Sequence, residues 1–425
     1  MKSGMCANAG YVVVPKGVRP LENPRGSDPF WARRIVANVA MGICFLAFVP
    51  NPSMAQKDEA VSPPGKSLSR DEAETLVAEV WQTESEAVRA SLAAELDNGA
   101  IILGERELKI LEKTFGEAPE KGHSLWISMH GGGGAPARVN DQQWKNQIRL
   151  YEPEEGIYVA PRAPTNSWNL WHEGHIDPLF DRMITAYVVA RGVNPDRVYL
   201  MGYSAGGDGV YQLAPRMADR FAAASMMAGH PNESQPDGLR NLPFALYVGG
   251  KDAAYDRNQK APEWGKKLDE LQEKDPGGYT HRLTVYPEKG HWMDGEDKDS
   301  LPWMAAYTRN PWPKKIVWRQ DDIVHSRFYW IGVDADSVKA GQKLEAEVCG
   351  QTITITSEDV KKVTIYLRDS LVNLDEPVVV DFNGHQILSG KVARTRNSIE
   401  ESLRRRPDPG LAATAILQVE FDKSR

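Results

Sequence analysis

Apolar positions along this chain change their period in a way that divides it. Ser69-Arg70-Asp71-Glu72 opens with a capping residue and early acids, and Leu76, Val77, Val80, Trp81 and Val88 recur at helical spacing, which predicts a helix over 69–95. From Ala100 to Pro313 short apolar runs alternate with helical patterns. Ile101–Leu103 and Leu108–Lys113 predict an opening hairpin; 124–129, 156–160, 198–201, 221–227, 244–248 and 282–286 predict buried strands; 179–191, 207–218 and 264–274 predict helices. This alternation implies an α/β fold, a mainly parallel sheet covered on both faces, with sites at the carboxyl ends of its strands.

Past Asn310-Pro311-Trp312-Pro313 the pattern shortens. Lys315–Trp318, Arg327–Val333, Lys343–Cys349, Thr352–Thr356, Lys362–Leu367, Val378–Phe382 and Gln386–Leu388 are strand-like runs between turn residues, and Asn383-Gly384 is a hairpin signal. With one helix near 398–405 and a last strand at 415–421, residues 314–425 read as a small β-rich, sandwich-like domain. The organisation predicted is a leader (1–55), a linker and N-terminal helix (56–99), an α/β domain (100–313) and a β-rich accessory domain (314–425).

The leader rests on Arg33-Arg34, the apolar run Ile35–Val49, and small residues ending at Ala55, where a signal peptidase would cut. The run is short for a membrane span, so export to the periplasm or exterior is expected, without stable membrane insertion. Cys6 and Cys44 fall in the leader and leave only Cys349, so neither an internal disulfide nor a multi-cysteine metal site is expected in the mature chain. A net charge of −7 gives no reason to expect nucleic acid as a partner.

The candidate chemistry centres on Gly202-Tyr203-Ser204-Ala205-Gly206, which follows a predicted strand and precedes a predicted helix. Chance supplies this short pattern in about one chain in ten of this length, so the rest of the machinery decides its meaning. A serine needs a base to take its proton and a carboxylate to hold that base. Asp252 and His291 each follow a later predicted strand, in the order Ser, Asp, His; Asp256 and Asp294 are competing acids. His130-Gly131-Gly132-Gly133-Gly134 follows the strand at 124–129, and its bare backbone suits an oxyanion hole made by the amides of Gly132 (or Gly131) and Ala205. Asp208 reads as a solvated or capping residue.

In 160–175, Trp168 and Trp171 are candidates for a substrate-stacking wall or for pinning a long loop, and His230 is a candidate lining residue. His172 and His175 lack the spacing that sets two imidazoles on one helix face, so no metal is expected. No cofactor is called for. In the tail, Trp318, Phe328, Tyr329 and Trp330 suit either a carbohydrate-binding surface or a core, the latter being the commoner use of strand aromatics.

With these residues in place, the chain resembles the α/β-hydrolase superfamily. Within it, the run Asn194–Gly207 is similar to the serine region of secreted esterases of the polyhydroxybutyrate depolymerase and feruloyl or acetylxylan esterase group. The resemblance covers about 100–310 and not the tail. It implies a secreted serine esterase with a Ser204-Asp252-His291 triad, acting on small-molecule or polysaccharide-linked esters such as hydroxycinnamoyl or acetyl esters. Depolymerases of that group tend to carry disulfides, which this mature chain cannot form, so the resemblance favours an esterase over a polymer depolymerase. The competing functions are a prolyl-oligopeptidase-like peptidase, which normally brings a β-propeller whose repeats are missing here, and a non-catalytic glycan-binding protein on a hydrolase scaffold.

Overall fold

The computed structural model describes residues 66–421; the leader and most of the linker lie outside the described residues. Helix α1 (Arg70–Asp97) starts on a capping box: the Ser69 hydroxyl accepts the Glu72 N–H, and the Glu72 carboxylate accepts the Ser69 N–H. There follow β1 (Ala100–Leu103), β2 (Arg106–Phe115), β3 (Leu125–Met129), α2 (Ala137–Gln147), β4 (Gly156–Arg162), α3 (Ile176–Arg191), β5 (Val198–Tyr203) and α4 (Ala205–Arg216). The α/β part closes with β6 (Ala223–Met227), β7 (Phe244–Gly249), α5 (Arg257–Lys274), β8 (His281–Tyr286) and α6 (Ser300–Ala305).

These eight strands form one sheet in the order β1-β2-β4-β3-β5-β6-β7-β8. The pairings of β1 with β2 and of β2 with β4 are antiparallel, and β4-β3-β5-β6-β7-β8 run parallel. Strands β3, β5, β6 and β7 are buried along their whole length, which explains why they read as continuous apolar runs. This is the α/β-hydrolase architecture expected from the sequence. Its parallel direction brings the ends of β3, β5, β7 and β8 to one edge.

Among the elements that depart from the expected pattern are two helices and the short α6, which was not expected. Helix α2 was not expected: its sequence is rich in amides and charges, and its first residues have no side-chain cap, so it carries little apolar signal. Helix α5 begins at Arg257 rather than at 264, because Pro262 and a polar first turn hide its start.

The tail comprises β9 (Lys315–Arg319), β10 (Arg327–Phe328), β11 (Ile331–Gly332), β12 (Lys343–Cys349), β13 (Thr352–Thr356), β14 (Lys362–Leu367), β15 (Val378–Phe382), β16 (His385–Gly390), α7 (Arg396–Arg405) and β17 (Ala415–Glu420). It forms two sheets, β10-β11-β14-β17 and β16-β15-β13-β12-β9. Rings from the two sheets meet, as Trp318 with Phe328 at 5.7 Å and Phe382 with Phe421 at 5.4 Å. The run Arg327–Val333 is two short strands rather than one: Tyr329 takes φ 50°, and the chain folds back so that Phe328 pairs with Ile331.

Trp318, Phe328, Tyr329 and Trp330 are all buried, so they cannot stack on a glycan, which corrects the binding-surface alternative for them. Tyr329 instead joins the tail to the α/β part, its N–H donating to Asp219 Oδ2 at 3.1 Å. Around it runs a buried ionic network: Arg309 reaches Asp408 at 2.7 Å and Asp196 at 2.8 Å, Arg220 reaches Asp408 at 3.1 Å, and Arg406 reaches Asp219 at 2.9 Å. Helix α1 spans both parts, with Leu76, Val77 and Val80 packed against Ile399 and Leu403 of α7 and with Glu74 paired to Arg368 at 2.6 Å. Among the described residues, no helix is long and apolar enough to cross a membrane.

Candidate active site

Ser204 sits between the end of β5 and the start of α4 with φ 57° and ψ −122°. That conformation costs a non-glycine residue about 1–3 kcal/mol. Packing enforces it: the Ser204 N–H donates to the Met227 carbonyl of β6 at 2.9 Å, and the Ser204 carbonyl accepts the Asp208 N–H at 2.9 Å. The flanking glycines are required by close backbone approach. A Cβ on Gly202 would lie 2.2 Å from the Gly206 carbonyl oxygen, and one on Gly206 would lie 2.0 Å from that of Met129. The turn thus fits only with hydrogen at both positions.

Ser204 Oγ lies 3.0 Å from His291 Nε2, and His291 Nδ1 lies 2.7 Å from Asp252 Oδ2. Asp252 is only 2% exposed, whereas His291 is open to the cavity. The two loops that carry them are joined backbone to backbone: Gly250 N–H donates to the Tyr286 carbonyl at 2.8 Å, and Lys251 N–H to the Lys289 carbonyl at 2.9 Å. Asp256 stands at the cavity rim and Asp294 is paired with Lys289 at 2.8 Å, so neither competing acid takes the place beside His291. Tyr203, adjacent to the serine, donates its hydroxyl to the His291 carbonyl and accepts the Met293 N–H at 3.2 Å. Sequence reasoning missed this brace, although its position inside the serine pentapeptide was the available signal.

The glycine loop abuts the serine: a Cβ on Gly131 would come within 3.0 Å of Ser204 Cβ. Gly132, Gly133 and Gly134 all have positive φ, at 113°, 84° and 56°. The loop is held by Asn140, a fully buried residue of the unexpected helix α2. Its Oδ1 accepts the Gly133 N–H at 2.9 Å, and its Nδ2 donates to the Ala135 carbonyl at 3.2 Å and to Asn166 Oδ1 at 2.9 Å. The Gly133 amide is thus engaged, whereas the amides of Gly131, Gly132 and Ala205 make no hydrogen bond among the described residues, so both loop candidates stand open beside Ala205. Asn140→Ala is expected to leave Gly133 N–H unpaired and to lower kcat about 10- to 100-fold with a smaller change in KM. Steady-state kinetics check this; an unchanged kcat would show that the loop holds itself.

His130 and Trp171 lie beneath the loop. His130 Nε2 accepts the Ala163 N–H at 3.2 Å, so the ring proton sits on Nδ1 and is donated to the Gly131 carbonyl at 2.6 Å. Burial pushes the imidazole down from 6.5 to about 4, which keeps it neutral. The unfolded chain therefore takes up this proton first, and the stability it contributes, whole above pH 6.5, is lost as pH falls towards 4. The loss amounts to about 3 kcal/mol. Urea unfolding at several pH values should show the gap between wild type and His130→Asn narrowing on acidification; a constant gap would contradict it.

The Trp171 indole donates to the His130 carbonyl at 2.9 Å and is fully buried. It therefore pins the loop and lies outside the cavity, which corrects its assignment to a substrate wall. Trp168 does line the cavity, as does His230. The cavity has a volume of about 1310 Å³ and opens beside Ser204 and His291. Its mouth carries three exposed aromatic rings, Trp168 at 67%, Tyr255 at 76% and Trp292 at 50%. Asp208 also lines it, half-buried, its carboxyl pushed up to about 6 chiefly by desolvation. The expectation was a solvated or capping residue; Asp208 does lie in the first turn of α4, and it is partly withdrawn from water. His172 packs edge-on against Trp168 at 5.7 Å and is not among the residues lining the cavity.

The fold and this serine, histidine and aspartate chain define a scaffold of the α/β-hydrolase type. No known family model and no curated protein matches the sequence. Among solved structures the chain is similar to a thermostable esterase, at 20% identity and a TM-score of 0.38 over 49% of this chain and 62% of that one. It is similar to a poly(3-hydroxybutyrate) depolymerase from Bordetella parapertussis, at 17% identity and a TM-score of 0.36 over 47% and 89% of the two chains. A third is dipeptidyl peptidase 4 from Porphyromonas gingivalis, at 11% identity and a TM-score of 0.35 over 49% and 35%.

Proposed function

We propose that this chain is an exported serine hydrolase that cleaves carboxylic esters through an acyl-enzyme. The single observation that carries the reading is the hydrogen-bonded series Ser204, His291 and Asp252, at 3.0 and 2.7 Å, opening onto a cavity beside unclaimed backbone amides. In this reading Ser204 Oγ attacks the ester carbonyl carbon while its proton passes to His291 Nε2. The Gly132 and Ala205 amides hold the oxyanion. The intermediate collapses, the alcohol leaves with the proton from His291, and the acyl group stays on Ser204. Water then attacks that acyl carbon by the same proton path, releasing the carboxylic acid and the free serine. Asp252 accepts the hydrogen bond of the His291 Nδ1–H throughout, fixing its tautomer and orientation.

The aromatic rim supports substrates with a flat or apolar portion, since Trp168, Tyr255 and Trp292 offer ring faces at the mouth. Export rests on the leader at 1–55, and N-terminal sequencing of the mature protein should find it beginning at Gln56. A fluorophosphonate probe tests the chemistry: peptide mapping should place the label on Ser204, and a panel of esters and aminoacyl amides should show turnover of the esters. Absence of label would remove the reading, and preferential amide cleavage would replace the esterase with a peptidase.

A further inference from the structure

The cavity wall on the His291 side is more polar than the serine chemistry needs. Asp208 lies one helical turn past Ser204; one of its carboxylate oxygens accepts the His230 N–H at 2.6 Å, its own backbone N–H also reaches the carboxylate, and no side-chain donor bonds to it among the described residues. Arg257, on the neighbouring helix start, is only 7% exposed. Its Nη1 reaches the Ala254 carbonyl at 3.4 Å and Asp252 Oδ1 at 3.9 Å, and its Nε is buried with no partner. His230 Nδ1 lies 3.0 Å from the Asn232 N–H and 3.1 Å from Asn232 Oδ1, and its Nε2 has no hydrogen-bond partner among the described residues. All four residues line the same cavity as Ser204. An under-satisfied acceptor and under-satisfied donors therefore stand side by side, in a place where desolvation already strains the acceptor.

The chemistry that satisfies both is narrow. An ammonium group would suit Asp208 but be repelled by Arg257; a carboxylate would suit Arg257 but be repelled by Asp208; an alkyl chain would serve neither. A hydroxyl donates to the carboxylate and accepts from the guanidinium or imidazole at once. Position decides which part of the substrate carries it. The leaving alcohol takes its proton from His291, so it lies against that ring, and this wall adjoins His291 through Arg257 and Asp252. Resting on the ester-hydrolase reading, we propose that Asp208, His230, Asn232 and Arg257 form a subsite for the leaving alcohol, and that this alcohol carries free hydroxyls next to the esterified one, as a polyol or sugar does.

The test compares kcat/KM for 2,3-dihydroxypropyl acetate, propyl acetate and acetylcholine in wild type, Asp208→Asn and Asp208→Ala. Wild type is expected to favour the dihydroxypropyl ester over the propyl ester by about tenfold or more, because a site built to bond a hydroxyl rejects the analogue lacking it. The ratio should fall towards one in Asp208→Ala and take an intermediate value in Asp208→Asn, which keeps the shape and one acceptor oxygen. Equal rates for these two esters in wild type, or a ratio unmoved in both variants, overturn the subsite alone. Preference for acetylcholine overturns it in favour of a cation site. If none of these esters nor p-nitrophenyl acetate is turned over, the hydrolase reading itself falls and takes the subsite with it.

Discussion

Ser204→Ala is expected to lower kcat/KM on p-nitrophenyl acetate by at least about a thousandfold, and by as much as about a millionfold, with little change in the unfolding midpoint. Among the described residues the Oγ atom makes one hydrogen bond, to His291 Nε2 at 3.0 Å, so its removal disturbs little packing. What it removes is the nucleophile, and without it His291 has no proton to take. The residue conformation at φ 57° is imposed by the Met227 carbonyl and by the glycine contacts, and alanine meets the same strain as serine. Residual turnover over the uncatalysed reaction should persist, because the Gly132 and Ala205 amides are untouched. Asp252→Asn should fall by about ten-thousandfold on the same substrate, since an amide in that place can hold the wrong imidazole tautomer. Turnover within tenfold of wild type for the purified, folded Ser204→Ala protein would remove the triad from consideration.

Asp408→Asn should destabilise the whole protein by about 3–5 kcal/mol while leaving the residues around Ser204 in place. Asp408 is 2% exposed and is met by Arg309 at 2.7 Å and by Arg220 at 3.1 Å. These arginines hold its carboxyl well below the usual carboxylate range, so it is charged in the folded protein, with burial opposing them. Its stabilisation is present above the unfolded value of 3.8 and is lost as the pH falls below it. Removing the charge leaves two buried guanidinium groups short of a partner, which costs more than the pair itself contributes. Thermal unfolding of wild type and variant at neutral pH reads the effect, and coincident curves would contradict it. For the same reason, deletion of 314–425 should not yield a soluble catalytic half. It would strip Asp408 from Arg309 and Arg220, Arg406 from Asp219, and the α7 face from α1.

The elements legible in the sequence are those specified by local patterns. The strands β3, β5, β6 and β7 were legible because they are buried on both faces, and the capped start of α1 because the box is contained within four residues. Helix α2 was not, since it holds its place through Asn140 and its contacts with the loop and not through an apolar stripe. Tyr329 broke a continuous apolar run that alternation alone could not divide. The two tryptophans of one loop were equivalent in sequence; a single hydrogen bond, from Trp171 to the His130 carbonyl, separated the buried brace from the exposed rim residue.

By itself the sequence determined the succession of the buried strands and of the apolar-striped helices, the sharp turn at Ser204, and the positions of Asp252 and His291 after their strands. These follow from short-range causes: burial period, backbone freedom at glycine, and the rule that a residue just past a parallel strand lies at the sheet's carboxyl edge. Only the tertiary structure decided what surrounds them. That Asn140 holds the glycine loop, that Asp208 and Arg257 share a wall, and that Asp408 ties the tail to Arg309, 99 residues away, depends on contacts between distant segments. Such contacts leave no period along the chain, because a buried charge or amide is satisfied by whichever partner the fold brings to it.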